Sequence, residues 1–173
     1  MSKPIGYWGC NYDHQLIRDI AETYGDHLQH MRLTDKYWLQ CHISEAIRLE
    51  IWEVEETQAA EEAGNSLHEM DQAQLQALSL ALINKSHGKP ITYWGCDHLN
   101  PIINGLIQVY GQYLEAMSNE DCYWLLMKIG HYLWLNHSDN APTEEAQEVY
   151  TRITELELPF PQWDALLTAI VNS

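Results

Sequence analysis

The chain carries its own pattern twice, and that repetition limits it more than any other feature does. Lys3-Pro4-Ile5-Gly6-Tyr7-Trp8-Gly9-Cys10 returns 86 residues later as Lys89-Pro90-Ile91-Thr92-Tyr93-Trp94-Gly95-Cys96. The register holds without a gap through Ile17/Ile103, Tyr24/Tyr110, Leu28/Leu114, Asp35/Asp121, Trp38/Trp124 and Ile43/Ile129. Near the ends of the two halves, Gln74, Ala77, Leu78, Ala81 and Asn84 match Gln162, Ala165, Leu166, Ala169 and Asn172 at a separation of 88, so the second copy carries two extra residues. Chance does not produce such a register. The chain reads as a tandem duplication, with a first helical repeat over 1–88 and a second over 89–173. A unit of this size forms only a marginal core by itself. Two copies packed together about a pseudo-two-fold axis are therefore expected.

The hydrophobic period within each copy is helical, and an all-α fold of about four helices per copy follows. Leu16, Ile17, Ile20, Tyr24, Leu28 and Met31 fall on one face of a 3.6-residue period, as do Ile102, Ile103, Leu106, Tyr110, Leu114 and Met117. This first helix is expected to run through the Tyr-Gly pairs at Tyr24-Gly25 and Tyr110-Gly111, where glycine would mark a close helix crossing. Asn100 followed by Pro101 is a start signal in the second copy, and Asp13 is the expected cap in the first. The second helix of each copy is apolar almost all round, from Tyr37 to Trp52 and from Tyr123 to Trp134. Such a helix belongs at the centre of the structure, with Trp38 and Trp124 buried. Residues 53–56 are expected to extend it in the first copy, whereas Asn136 to Pro142 break it in the second. Third and fourth helices follow over 57–70 and 72–85, and over 143–156 and 161–172. Ile5 and Tyr7 alternate with Gly6 and Trp8, so each Tyr-Trp-Gly-Cys motif reads as a short extended entry to its copy.

Charge narrows the function. Twenty-five Asp and Glu against nine Lys and Arg leave a formal net charge of −16. Phosphate backbones and anionic lipid both require the opposite balance, so neither direct nucleic-acid binding nor a membrane role is expected. No Lys or Arg occurs from Leu49 to Asn84, a stretch that holds eight acids. Within it Glu53, Glu55, Glu56, Glu61 and Glu62 are the candidate contacts for a basic protein partner. The alternative is a solvated acidic face. Four cysteines at spacings that suggest no framework fit free thiols in a cytoplasmic setting.

No catalytic or cofactor pattern stands out, and an enzyme is not expected. His27 and His30, three apart on the first helix, are the nearest approach to a metal pair. The second copy has Tyr113 and Ala116 in their places, and no metal-ligand motif accompanies them. The expectation is a non-enzymatic, cytoplasmic interaction protein that binds and neutralises or regulates a basic protein, as an immunity protein, inhibitor or nucleic-acid mimic would. No cofactor is expected. The other reading is a small-ligand or metal site where the two entry motifs meet, built from Tyr7, Trp8, Cys10, Tyr93, Trp94 and Cys96. A plain structural role for these motifs, with tryptophan packed and cysteine buried, stands beside it.

Overall fold

Side-chain caps set where most of the helices begin. Thr57 and Thr143 accept the amides of Ala60 and Ala146, Asp71 accepts that of Gln74, Ser118 that of Asp121, and Asn100 those of Ile102 and Ile103. Each satisfies a helix-start N–H that has no partner within its own helix. The computed structural model, which describes residues 2–173, contains eight α-helices and no strand among the described residues. They are α1 (Gln15–Tyr24), α2 (Leu33–Ile51), α3 (Gln58–Asn65), α4 (Gln72–Ile83), α5 (Pro101–Tyr110), α6 (Asn119–His137), α7 (Glu144–Thr154) and α8 (Phe160–Asn172). The all-α expectation holds.

Four local expectations are corrected. The entry motifs are not extended, because Ile5–Trp8 and Ile91–Trp94 are 3₁₀ turns closed by Gly9 and Gly95 at φ 96° and 99°. A strand would place Ile5 and Tyr7 on one face, whereas the turn buries Ile5 and leaves Tyr7 exposed. The first helix stops at Tyr24, and Gly25 caps it at φ 82°, as Gly111 caps α5 at φ 85°. Leu28 and Leu114 then take left-handed backbone at φ 54° and 55°, yet both are buried. That conformation costs about 1–2 kcal/mol, which burial of the leucine offsets. It keeps the leucines at helical spacing without a helix, and it leaves His27 and His30 in a turn. Asp13 is not the cap of α1, where His14 stands with no side-chain cap bond. Residues 52–57 connect α2 to α3 and do not prolong α2.

The central contact is α2 against α6. A Cβ on Gly130 would lie 2.7 Å from the Cys41 backbone nitrogen and 3.0 Å from the Tyr37 carbonyl oxygen. The close crossing is therefore here, between the two helices that are apolar nearly all round. Around it, α7 and α8 lie on α2, while α3 and α4 lie on α6. In addition α7 reaches α1, α3 reaches α5, and α4 meets α8. Every one of these contacts joins residues 2–88 to residues 89–173.

Polar groups lock the same arrangement. Buried Asp121 accepts the Thr57 amide and hydroxyl at 2.8 Å each and the Tyr110 hydroxyl at 2.8 Å. Buried Asp35 accepts the Thr143 amide at 2.8 Å and hydroxyl at 3.0 Å. Thus each half anchors the start of a helix belonging to the other. The Asn84 amide donates to the Asn172 side-chain oxygen at 3.0 Å, and the Gln40 amide donates to the Leu126 carbonyl at 3.1 Å. Those two pairs are separated by 88 and 86 residues, so equivalent positions face each other.

Equivalence stops at the tryptophans. Trp124 is buried, as expected, against Gly64, where a Cβ would come within 2.3 Å of its ring. Trp38 is only half-buried, because Tyr150 stands where Gly64 does and meets it edge-on at 5.7 Å. His42 completes this cluster, 4.3 Å from Trp38 and 5.2 Å from Tyr150.

The crossing predicts an unusual response to alanine. Gly→Ala inside a helix normally gains about 1 kcal/mol. Gly130→Ala is expected instead to destabilise by roughly 1–3 kcal/mol, because backbone must move. Gly105→Ala, with nothing within 4 Å of the new carbon, should show the ordinary gain. Urea unfolding of the two variants measures the contrast, and equal shifts would count against a tight crossing at Gly130.

Candidate functional site

The acidic segment lies at the α2–α3 connection and along α3. Glu53 and Glu55 are exposed in the connection, and Glu61 and Glu62 are exposed on α3, whose buried face is Ala60 and Ala63. Glu61 sits in the first turn, where the positive end of the helix dipole favours a carboxylate. Gln58 donates to Glu62 at 2.7 Å. Glu56 departs from the expected pattern. It is half-buried and bonds the Arg48 guanidinium at 2.6 Å, so this one carboxylate has its counter-ion inside the chain. Arg48 also lies 5.7 Å over the Trp52 ring.

Apolar groups share this surface. Leu49, Trp52 and Val54 are all more than half exposed, interleaved with Glu50, Glu53 and Glu55. The Trp52 ring therefore presents apolar area to solvent with carboxylates on either side of it in the chain. Charge pattern alone identified the acids, and the apolar part was missed because the helical period assigned Trp52 to the core.

The two entry motifs occupy separate places in the fold. The first docks on α8, where Gln162 accepts the Asn11 amide at 2.7 Å and donates to the Gly9 carbonyl at 3.2 Å. The second docks on α4 through Gln74, which accepts the Asp97 amide at 2.7 Å and donates to the Gly95 carbonyl at 3.1 Å. Tyr7 and Tyr93 are 62% and 63% exposed, each under a lysine ammonium, Lys3 at 5.2 Å and Lys89 at 5.3 Å. Trp8 and Trp94 are half-buried, while Cys10 and Cys96 are buried. Each motif thus clasps one helix of the opposite half.

Burial pushes the thiols of Cys10 and Cys96 up to about 12 from an ordinary 9.0. Cys41 and Cys122 are raised to about 12 by the same cause. A thiol held protonated is a poor nucleophile and a poor metal ligand. A cavity of about 400 Å³ beside Cys122 is lined also by Lys85, Tyr123 and Asp164. There the Tyr123 hydroxyl donates to Asp164, and Lys85 donates to the Met117 carbonyl at 3.1 Å. Each of these polar groups thus has a hydrogen-bond partner within the chain. No cluster of three or more His, Cys, Asp or Glu is placed to hold a metal ion, and no helix is long and apolar enough to cross a membrane, among the described residues.

Compared with family models, curated proteins and solved structures, the chain matches none.

The thiols supply a direct check. All four are expected to resist iodoacetamide at pH 8 in the folded protein and to react together on unfolding. Because folded thiols keep their protons while unfolded ones lose them near 9.0, stability should fall as pH rises from about 9 towards about 12. Rapid modification of Cys10 or Cys96 in the native state would contradict their burial.

Proposed function

We propose that this chain is a duplicated, non-enzymatic, cytoplasmic protein that binds a basic protein partner and neutralises or regulates it. The observation that carries the reading is the exposed acidic surface at the α2–α3 connection. Glu53, Glu55, Glu61 and Glu62 project to solvent beside exposed Trp52 and Val54, in a stretch without Lys or Arg. A run of carboxylates with no cation in its own stretch repels itself, which a cationic partner relieves. The net charge of −16 extends the same field around the molecule and speeds encounter with a basic surface. The apolar groups among the acids supply the desolvated contact that holds the complex once formed.

Binding rather than catalysis fits the raised thiols, which offer no activated nucleophile. Four unpaired buried cysteines suit a reducing compartment. Duplication accounts for the repeated motifs and for equivalent residues meeting each other at Asn84 and Asn172. The halves differ in the property that matters for binding. In the third helix of the second half, Arg152 offsets the acids around it, so the first half is the binding half.

Replacing Glu53, Glu55, Glu61 and Glu62 together with glutamine is expected to leave helix content unchanged. The association rate with the basic partner captured from the native cell should drop about tenfold, and its salt dependence should weaken. Stopped-flow measurements over a salt series read both. A rate indifferent to the substitutions and to salt would reduce the acidic face to a solvated surface.

A further inference from the structure

The two halves each form a groove between a first helix and a third helix of opposite origin, and the two grooves differ. Between α1 and α7 the groove is nearly filled, leaving about 60 Å³. Arg152 fills it, bonding Asp19 at 2.7 Å and Glu157 at 2.7 Å, with Glu148 at 3.9 Å. Between α3 and α5 the corresponding groove is open, at about 420 Å³.

The residue changes explain the difference. At a separation of 86, Arg152 becomes Ser66, Asp19 becomes Gly105 and Val149 becomes Ala63. Each is a reduction in size, and a Cβ on Gly105 would meet nothing within 4 Å. Two carboxylates survive, since Glu148 corresponds to Glu62 and Glu157, at a separation of 88, to Glu69. Both line the open groove. The floor is apolar, from Ala63, Ile102 and Leu106. Helix α5 bears no charged residue, and no Lys or Arg lies between Leu49 and Asn84. Glu62 keeps its bond from Gln58, and Glu69 lies 3.9 Å from the exposed His68 ring. The first half has therefore kept two carboxylates of the ion-pair site and lost its guanidinium.

We propose that the α3–α5 groove receives an arginine, flanked by apolar residues, from the basic partner. Its guanidinium pairs with Glu62 and Glu69 as Arg152 pairs with Glu148 at 3.9 Å and bonds Glu157 at 2.7 Å, and its apolar neighbours cover Ile102 and Leu106. This deepens the basic-partner reading and rests on it. Arginine suits the place because its planar fork binds two carboxylates at once, and its stem covers apolar surface.

The test titrates the full-length ¹⁵N-labelled protein with a blocked amphipathic peptide of alanine, leucine and arginine. A second peptide replaces arginine with citrulline, which keeps the shape and removes the charge. Saturable shifts of the Ser66 and Gly105 amides are expected with the arginine peptide, and binding about tenfold weaker with citrulline, as expected for a lost charge-assisted hydrogen bond. Ser66→Arg with Gly105→Asp rebuilds the internal ion pair, fills the groove and should weaken the arginine peptide by a similar factor. Glu62→Gln with Glu69→Gln should do so without altering the fold. Equal binding of both peptides overturns the proposal. Unchanged affinity in the filled variant, with shifts at Glu53 and Glu55 instead, overturns the groove and leaves the basic-partner reading standing. No binding by either variant or the parent at low salt defeats both.

Discussion

The approach of α2 and α6 at Gly130 is the constraint from which the remaining packing follows. Two helices apolar on almost every side hide their surface only by taking the middle and being covered by others. Gly130 removes the side chain that would hold their backbones apart, with the Cys41 nitrogen 2.7 Å from where its Cβ would sit. Once they are in contact, the uncovered sides of each helix face the other half of the chain. Helices α7 and α8 cover α2, and α3 and α4 cover α6. The buried carboxylates of Asp35 and Asp121 make this arrangement specific. Each is taken out of water, a cost that only full hydrogen bonding offsets. The partners are Thr143 and Thr57, at the starts of helices from the opposite half.

Around this core, the halves differ mainly towards the surface. Trp124 sinks against Gly64, while Trp38 is held outward by Tyr150 and shares an aromatic cluster with His42. In the equivalent place Lys128 lies 5.2 Å over the Trp124 ring. One groove is plugged by Arg152 and its counterpart is open. The core residues Ile17/Ile103, Leu39/Leu125 and Ile43/Ile129 are the same in both halves and fully buried. Changes in a close-packed interior disturb neighbours on every side, whereas grooves and rims accept them cheaply. The structural differences between halves therefore gather at the third helices and their surroundings.

Much of this could be read from the residues alone. The apolar circumference of the second helix marked the centre, and the Asn100-Pro101 pair marked the start of α5. The end of α1 was hidden, because left-handed Leu28 keeps helical spacing beyond Gly25. Periodicity tells which side chains are buried and says nothing of which half buries them, so the crossing of the third and fourth helices onto the other half was not legible. Asp35 and Asp121 looked like ordinary acids of a first helical turn, although they are buried anchors. At the candidate site the exposed glutamates were readable, but the Arg48–Glu56 pair was not, since its arginine lies just outside the acidic run. The open groove had a signal: Arg152 against Ser66 and Asp19 against Gly105 at one constant separation. It becomes meaningful only once α3 is known to face α5.

The most direct measurement is to express residues 1–88 alone and follow unfolding by far-UV circular dichroism, with sedimentation to report association. Most of the contacts that bury α2, α3 and α4 in the whole chain come from residues 89–173. The interlocked arrangement therefore predicts that the isolated segment has no cooperatively folding monomer and gains ordered helix only when residues 89–173 or a second copy is supplied. A monomeric 1–88 with full helix content and a sharp unfolding transition would contradict it.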